Sequence, residues 1–229
     1  ICYIHAREYL NIDKTSEIDT WVDLHLKHMN EYGFWSNSNK LTYLQFQNGY
    51  HQYEIFKYLN IPITNIQRSI ESVMSMGDSD GHFAPYPGGG GCYDFDAIYI
   101  LTYDSAACNT VKDNLLLTAS SILSSQNIDG GFCETKYLSP RSLGKSLSHI
   151  FNPPHNDTLF KLRVFLNSYR KKYKNIQTHW TKYDRRWDES NLWDTWFRLM
   201  ALAKIQKYLQ INNENNWNFI NYPGIGFHN

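Results

Sequence analysis

Two aspartates, Asp94 and Asp96, stand one residue apart in GGGGCYDFDAIYIL (88–101), directly after four glycines and a cysteine. A carboxylic acid donates a proton near neutral pH only if it stays protonated. Burial among apolar groups and a neighbouring carboxylate both raise its pKa. The apolar run that follows supplies such surroundings, so Asp96 is a candidate acid and Asp94 its neighbour or orienting partner. The same stretch offers a second chemistry. Cys92 and Asp94, with His51 from NGYHQY (48–53), supply the thiolate, carboxylate and imidazole that bind zinc and activate a thiol or a water. Asp194 opens a comparable segment, LWDTWFRLMALAKI (192–205). The faces of Tyr53, Tyr93, Trp193 and Trp196 suit a cation or an apolar ligand, and core packing is their alternative use. Arg185 and its neighbour Arg186, in YDRRWDES (183–190), can grip a phosphate or carboxylate, or simply line a solvated loop.

These residues need elements to position them, and internal repetition indicates which. HMNEYGFWS (28–36), SMGDSDGHFAP (75–85) and SSQNIDGGFCE (124–134) each place a Gly-aromatic turn after a helix-like apolar segment. Gly33, Gly81 and Gly130 recur after 48 and 49 residues (33 to 81, 81 to 130), which marks stacked modules. A second series is interleaved, starting at Gly49, Cys92 and Leu192, and each member continues as an apolar helix. Every module therefore reads helix, turn, loop, helix. Glycine permits a positive φ where the first helix ends. Aligning the second series sets His51, Asp94 and Asp194 at equivalent helix starts, with Tyr53, Asp96 and Trp196 two residues on. Helices are expected over 15–30, 63–76, 109–125 and 157–173, with Pro62, Pro140 and Pro153–Pro154 as boundaries. The third module is stretched and must hold an extra hairpin within 137–187. No strand pattern stands out, and 174–190 is expected to be a loop. The fold class is all-α, about four helical hairpins in a single domain over 1–229.

Composition excludes several classes. Lysine plus arginine and aspartate plus glutamate balance at 22 each, so no global attraction to nucleic acid is expected. No apolar run is long enough for a transmembrane segment. Four cysteines without a CxxC pair fit neither a zinc finger nor a disulfide scaffold, and a reducing, cytoplasmic setting follows as the default. Aromatic residues make up 16 %, including 17 Tyr and seven Trp. An open repeat array exposes apolar ends, which predicts an upstream segment or an oligomeric partner.

The turn SSQNIDGGFCE resembles the Q-x-x-D-G-G-aromatic turn of the terpenoid cyclase and protein prenyltransferase superfamily, through Gln126, Asp129, Gly130, Gly131 and Phe132. Asp80, Gly81 and Phe83 make a degraded copy, and Glu31, Gly33 and Phe34 a weaker one. The resemblance covers roughly 20–205 and implies an α/α toroid or partial toroid, with inner helices starting at one rim of a central cavity. DFDA is similar to the D-x-D-D motif of the protonating cyclases, whose middle acid maps to Asp96. Ala97 stands where that motif has its fourth acid. The prenyltransferase branch implies a zinc site, carried here by Cys92, Asp94 and His51, though Gly90 occupies the position of that family's own aspartate. The D-D-x-x-D motif that binds magnesium in other terpene synthases is absent. Two further readings remain. A polysaccharide-active toroid would use His51, Tyr53, Tyr93, His179 and Arg185, and a non-catalytic toroid would bind a partner at its rim.

Overall fold

The computed structural model describes residues 1–35, 41–104, 109–138, 142–152, 157–170, 173–177, 182–211 and 217. It is mostly helical: α1 (Cys2–Leu10), α2 (Thr15–His28), α3 (Tyr43–Tyr58), α4 (Ile66–Met74), α5 (Gly91–Leu101), α6 (Asn109–Ser124), α7 (Leu143–Phe151), α8 (Thr158–Tyr169) and α9 (Leu192–Leu209). Between α8 and α9 lies one antiparallel hairpin, β1 (Tyr173–Gln177) and β2 (Lys182–Arg186), paired from Tyr173↔Arg186 to Gln177↔Lys182. No described helix is long and apolar enough to cross a membrane.

The modules are α2–turn–α3, α4–turn–α5 and α6–turn–α9, and the stretched third one contains the α7–α8 pair and the hairpin. The loop expected over 174–190 is thus corrected at 174–177 and 182–186, which lie in two short strands. Their sequences, YKNIQ and KYDRR, are too polar to display an alternating apolar pattern. The first helix of each module buries one face: Ile18 and Val22 on α2, Ser69, Ile70 and Val73 on α4, Val111, Leu115, Thr118 and Ile122 on α6. α5 is different. Residues 94–101 are all buried, because α3, α4, α6 and α9 all pack on it.

The three turns are built alike. Asn30, Asp78 and Asn127 each accept, on the backbone carbonyl, the N–H of the glycine three residues on, at 2.9, 3.0 and 2.9 Å. Each also donates its own N–H to the carbonyl four residues on. Gly33, Gly81 and Gly130 adopt φ of +82°, +79° and +84°, the left-handed region that L side chains resist. In the first two turns the Asn30 and Asp78 side chains accept two further backbone N–H groups each. In the third, Asp129 takes over by accepting from Gly131 N, and Gln126 closes the turn by donating to Gly130 O at 2.8 Å. The aromatics that follow, Phe34, Phe83 and Phe132, are at most 1 % exposed.

What braces the turns differs. Ser69 of α4 sits against Gly33, and the Tyr53 hydroxyl donates to Gly33 O while sharing a hydrogen bond with the Ser69 hydroxyl. Thr118 of α6 donates to Gly81 O at 2.7 Å. So the first two turns lean on the first helix of the following module. The third leans on the approach to α9: Asn127 donates to Asp188 O and Ser190 Oγ, and Ser190 donates to Asp129. A Cβ on Gly81 would lie 2.9 Å from Thr118 Oγ1 and 3.0 Å from Thr118 N, whereas one on Gly130 would touch nothing within 4 Å. Both alanine variants carry the left-handed penalty of about 1–2 kcal/mol. Gly81→Ala is expected to lose about 1–3 kcal/mol more than Gly130→Ala through overpacking. Urea unfolding of both variants checks this, and equal losses would refute the docking of the second turn on α6.

Candidate functional site

The glycine run is not a loose surface loop. Gly88 to Gly91 are all buried, and their bareness lets other groups close in. Gly88 and Gly89 have φ of +82° and +54°. A Cβ on Gly89 would lie 2.8 Å from both carboxylate oxygens of Asp94, and one on Gly90 would lie 2.6 Å from the Tyr86 hydroxyl. Arg198 of α9, itself 0 % exposed, reaches the backbone of this run. Its guanidinium donates to the carbonyls of Gly88 (2.9 Å), Gly89 (2.5 Å), Glu134 (3.2 Å) and Cys133 (3.3 Å), and pairs with Asp94 at 3.3 Å. Asp94 also accepts Phe83 N at 3.0 Å and lies 2.8 Å from His82 Nδ1. It therefore ties the second turn to α5 and α9 at once.

Asp194 has a related task in the first turn of α9. Asn191 caps that helix by accepting Asp194 N at 2.9 Å, and its amide donates back to the Asp194 carboxylate. Asp194 Oδ1 accepts Gly91 N at 3.2 Å, which caps the start of α5 from a different helix. Arg185 Nη2, on β2, lies 3.2 Å from Asp194 and 2.8 Å from Glu134. Glu134 further accepts from Lys174 Nζ at 2.6 Å and from the Tyr86 hydroxyl. Burial pushes Glu134 up, but Lys174, Tyr86 and Arg185 outweigh it and hold the carboxyl below its ordinary range. Burial and the nearby Glu134 push Asp194 up. Arg185 is thus only 6 % exposed and serves the protein's own carboxylates rather than a solvated loop.

Asp96 lies in a separate environment. Residues two apart on a helix point to nearly opposite sides, so Asp94 turns to Arg198 while Asp96 does not. Asp96 is 3 % exposed, and no described residue hydrogen-bonds its carboxyl. Burial first, then Glu54, then Asp94, push its pKa well above the carboxylate range. Glu54 comes from α3 and is also 3 % exposed. It accepts from the Tyr50 hydroxyl and lies 3.2 Å from His51 Nδ1. The Tyr50 and Tyr99 rings meet edge-on at 5.4 Å, and Tyr50 also faces Phe95 at 6.1 Å. A buried carboxyl pressed towards neutrality, with Glu54 nearby and Tyr50 bonded to Glu54, is the constellation with the most chemical capacity among the described residues.

The other anticipated residues are dispersed. α3 starts at Tyr43, because Thr42 and Gln45 form a capping box there, so His51 lies in mid-helix and not at a helix start. Counted from the turns, α3 and α5 both begin 13 residues after the Asx residue (30 to 43, 78 to 91), which makes Tyr99 the counterpart of His51. The expected alignment of His51 with Asp94 is corrected accordingly. Tyr53 bonds the first turn, away from Asp96. Tyr93 meets Tyr43 and Tyr86 edge-on at the glycine run, and Trp193 and Trp196 flank Phe197, 54 % and 37 % exposed. His179 lies outside the described residues. The zinc set is not assembled: no three His, Cys, Asp or Glu side chains converge to hold a metal among the described residues. Asp94 is taken by His82 and Arg198, and burial with Asp96, Glu134 and Asp194 pushes the Cys92 thiol up to about 12.

Sequence reasoning missed Glu54, Glu134, His82 and Arg198. Glu54 and Arg198 had a faint signal, a charge inside an apolar or aromatic segment, as in YHQYEIF and TWFRLMA, whereas Glu134 and His82 stand in polar turn segments and had none. No protein-family model matches the chain, and neither a curated protein nor a solved structure shows significant similarity to it.

Removing the guanidinium would strand Asp94 without its counter-charge in the interior. Arg198→Met is expected to cost about 3–5 kcal/mol, the usual penalty for breaking a buried pair. Denaturant unfolding checks this, and a loss below about 1 kcal/mol, within the range of exposed pairs, would show that the guanidinium does not organise the glycine run.

Proposed function

We propose that this chain is an acid-catalysed enzyme acting on an isoprenoid, with Asp96 as proton donor, on a partial α/α toroid of the terpenoid cyclase and protein prenyltransferase kind. One observation carries the reading. Asp96 is a buried carboxyl that no described residue hydrogen-bonds, and burial together with Glu54 favours its neutral form. A neutral carboxylic acid in an aromatic site is the group that protonates an alkene. Its proton would add to one alkene carbon, forming a C–H bond and leaving a cation at the other. The π electrons of a second alkene would close the ring, and loss of a proton would end the reaction as an isomerisation. The faces of Tyr50 and Tyr99 suit the cation. Glu54 supplies the second carboxyl that Ala97 does not. His51, half-exposed and 3.2 Å from Glu54, offers a path by which protons return from solvent. The substrate class is a small apolar molecule and the setting cytoplasmic.

A second reading, a non-catalytic binding scaffold, is favoured by one fact. Asp94, Asp194 and Arg185 are occupied by contacts within the protein. One assay separates the two. Purified protein is incubated with linear isoprenoids and their diphosphates, and products are read by mass spectrometry. A cyclised product is expected from the wild type, reduced about 10²–10⁴-fold in Asp96→Asn, the usual contribution of general acid catalysis. No turnover by folded wild-type protein would leave the scaffold reading standing.

The acid can be tested without substrate. A carboxyl whose pKa is raised on folding binds more protons in the native state than in the unfolded chain. Its stabilisation is complete below the ordinary carboxylate range and is lost as pH rises through the raised value. Asn carries no such dependence. The Tm of Asp96→Asn relative to wild type is therefore expected to climb between pH 4 and pH 9. A difference that stays flat over that range would remove Asp96 as the neutral acid.

A further inference from the structure

At the far end of the inner helices from the glycine run, the C-terminal ends of α3, α5 and α9 surround a pocket of about 350 Å³. Lys57 from α3 and Lys204 and Lys207 from α9 line it, together with Tyr99, Tyr103 and Tyr208. The lysines differ in setting. Lys57 and Lys207 are exposed and stand in the last turns of their helices, where the dipole favours a cation. Lys204 is half-buried and sits farther inside α9, with its Nζ 4.4 Å from the centroid of the Tyr99 ring. The helix end does not account for it.

Desolvation disfavours an ammonium, and like charges nearby disfavour it further. Burial acts first on Lys204, then Lys57 and Lys207, and together they push it down to about 7. Glu54 on α3 and the Tyr99 ring on α5 favour the charged form, and both are outweighed. At pH 7 about half of such amines are neutral, about 10³ times the share in an ordinary lysine with a pKa of about 10.4. Lys161 shows the structural use of a buried lysine. It is 0 % exposed and donates to the carbonyls of His149 and Asn152 at 3.2 and 2.8 Å, which ties α8 to the end of α7. Lys204 instead borders a hollow within the size range of small-molecule sites, about 300–1,000 Å³.

We propose that Lys204 is a nucleophilic amine that captures a small aldehyde or ketone in this pocket as an imine. A lysine is activated for this step when it is desolvated or set beside other cations, and Lys204 meets both conditions. Its nitrogen lone pair adds to the carbonyl carbon, and the π pair of the C=O bond moves to oxygen. The oxygen gains the two protons that the amine gives up and leaves as water, while a C=N bond forms. One amine and one carbonyl thus yield one imine and one water, with no oxidation or reduction. The ammonium of Lys57 or Lys207 can lend a proton to the departing oxygen and recover it from the nitrogen. An acceptor that held one N–H of Lys204 would orient the lone pair without consuming it. The tyrosine rings suit the organic body of the carbonyl compound. This chemistry is independent of Asp96.

The test uses the full wild-type chain at pH 7 with benzaldehyde and sodium cyanoborohydride, which reduces an imine to a stable secondary amine. Peptide mass spectrometry locates the labelled lysines. Lys204 is expected to be labelled about tenfold or more faster than Lys207, one turn along the helix, as a larger neutral fraction requires. Its rate is expected to saturate with benzaldehyde concentration, because the aldehyde binds before it reacts. Lys204→Arg keeps a cation there and should lose this label. Lys207→Met removes a flanking cation at an exposed position. It is expected to slow labelling of Lys204 about fivefold at pH 7, because removing a like charge restores the ammonium, and to leave it unchanged at pH 9. Label spread evenly over the lysines of the wild type, or a rate at Lys204 that rises linearly with benzaldehyde, would overturn the proposal.

Discussion

A single guanidinium, that of Arg198, sets the conditions for the rest of the structure. It lies in the interior, where an unpaired charge is intolerable, and its donors are met by one carboxylate and four backbone carbonyls drawn from three separate parts of the chain. Two of those carbonyls belong to Gly88 and Gly89, both at positive φ, a conformation that glycine adopts readily. The four-glycine run, the aspartate after it and the arginine about a hundred residues later are therefore one device. It joins α5 to α9 and brings the turn at 133–134 against both. An alanine at Gly89 would meet Asp94, so the composition of the run follows from the charge it encloses.

The same helix start shows how periodicity divides labour between like residues. Asp94 and Asp96 differ by two positions, which on a helix means opposite directions. One is matched to a cation and a backbone amide and behaves as a structural anion. The other finds no donor among the described residues, has a carboxyl neighbour and is pressed towards neutrality. Electrostatic environment, more than residue type, separates a clamp from a candidate acid.

Much of the architecture was legible. The period near 50, the positions of the turn glycines and the boundaries of α2, α6 and α8 follow from local patterns: glycine at positive φ, apolar residues at helical spacing, prolines beyond helix ends. What escaped was of two kinds. Some was local but weakly marked. The start of α3 depends on the Thr42–Gln45 capping box, and the apolar residues on both sides of it conceal that start. The strands at 173–177 and 182–186 are too polar to show their alternation. The rest was non-local. Glu54 becomes a neighbour of Asp96 only when α3 packs on α5, and Arg198 is recognisable as an interior cation only once the glycine run is folded beneath it. Asp94 and Asp194 were expected as site acids at helix starts, but the partners that occupy them lie on other modules, and spacing along the chain does not reveal those partners.

The unequal bracing of the three turns has a consequence for the order of assembly. The first two are secured by helices 36 and 37 residues downstream (33 to 69, 81 to 118), contacts that a growing or collapsing chain meets early. The third is secured by Asp188 and Ser190, at separations of 61 and 63 residues from Asn127. Loop closure over that span requires α7, α8 and the β-hairpin to be traversed first. Arg198 lies beyond it still. The first two turns thus rest on contacts of shorter sequence separation than the third, and the glycine run is fastened only where α9 docks on it.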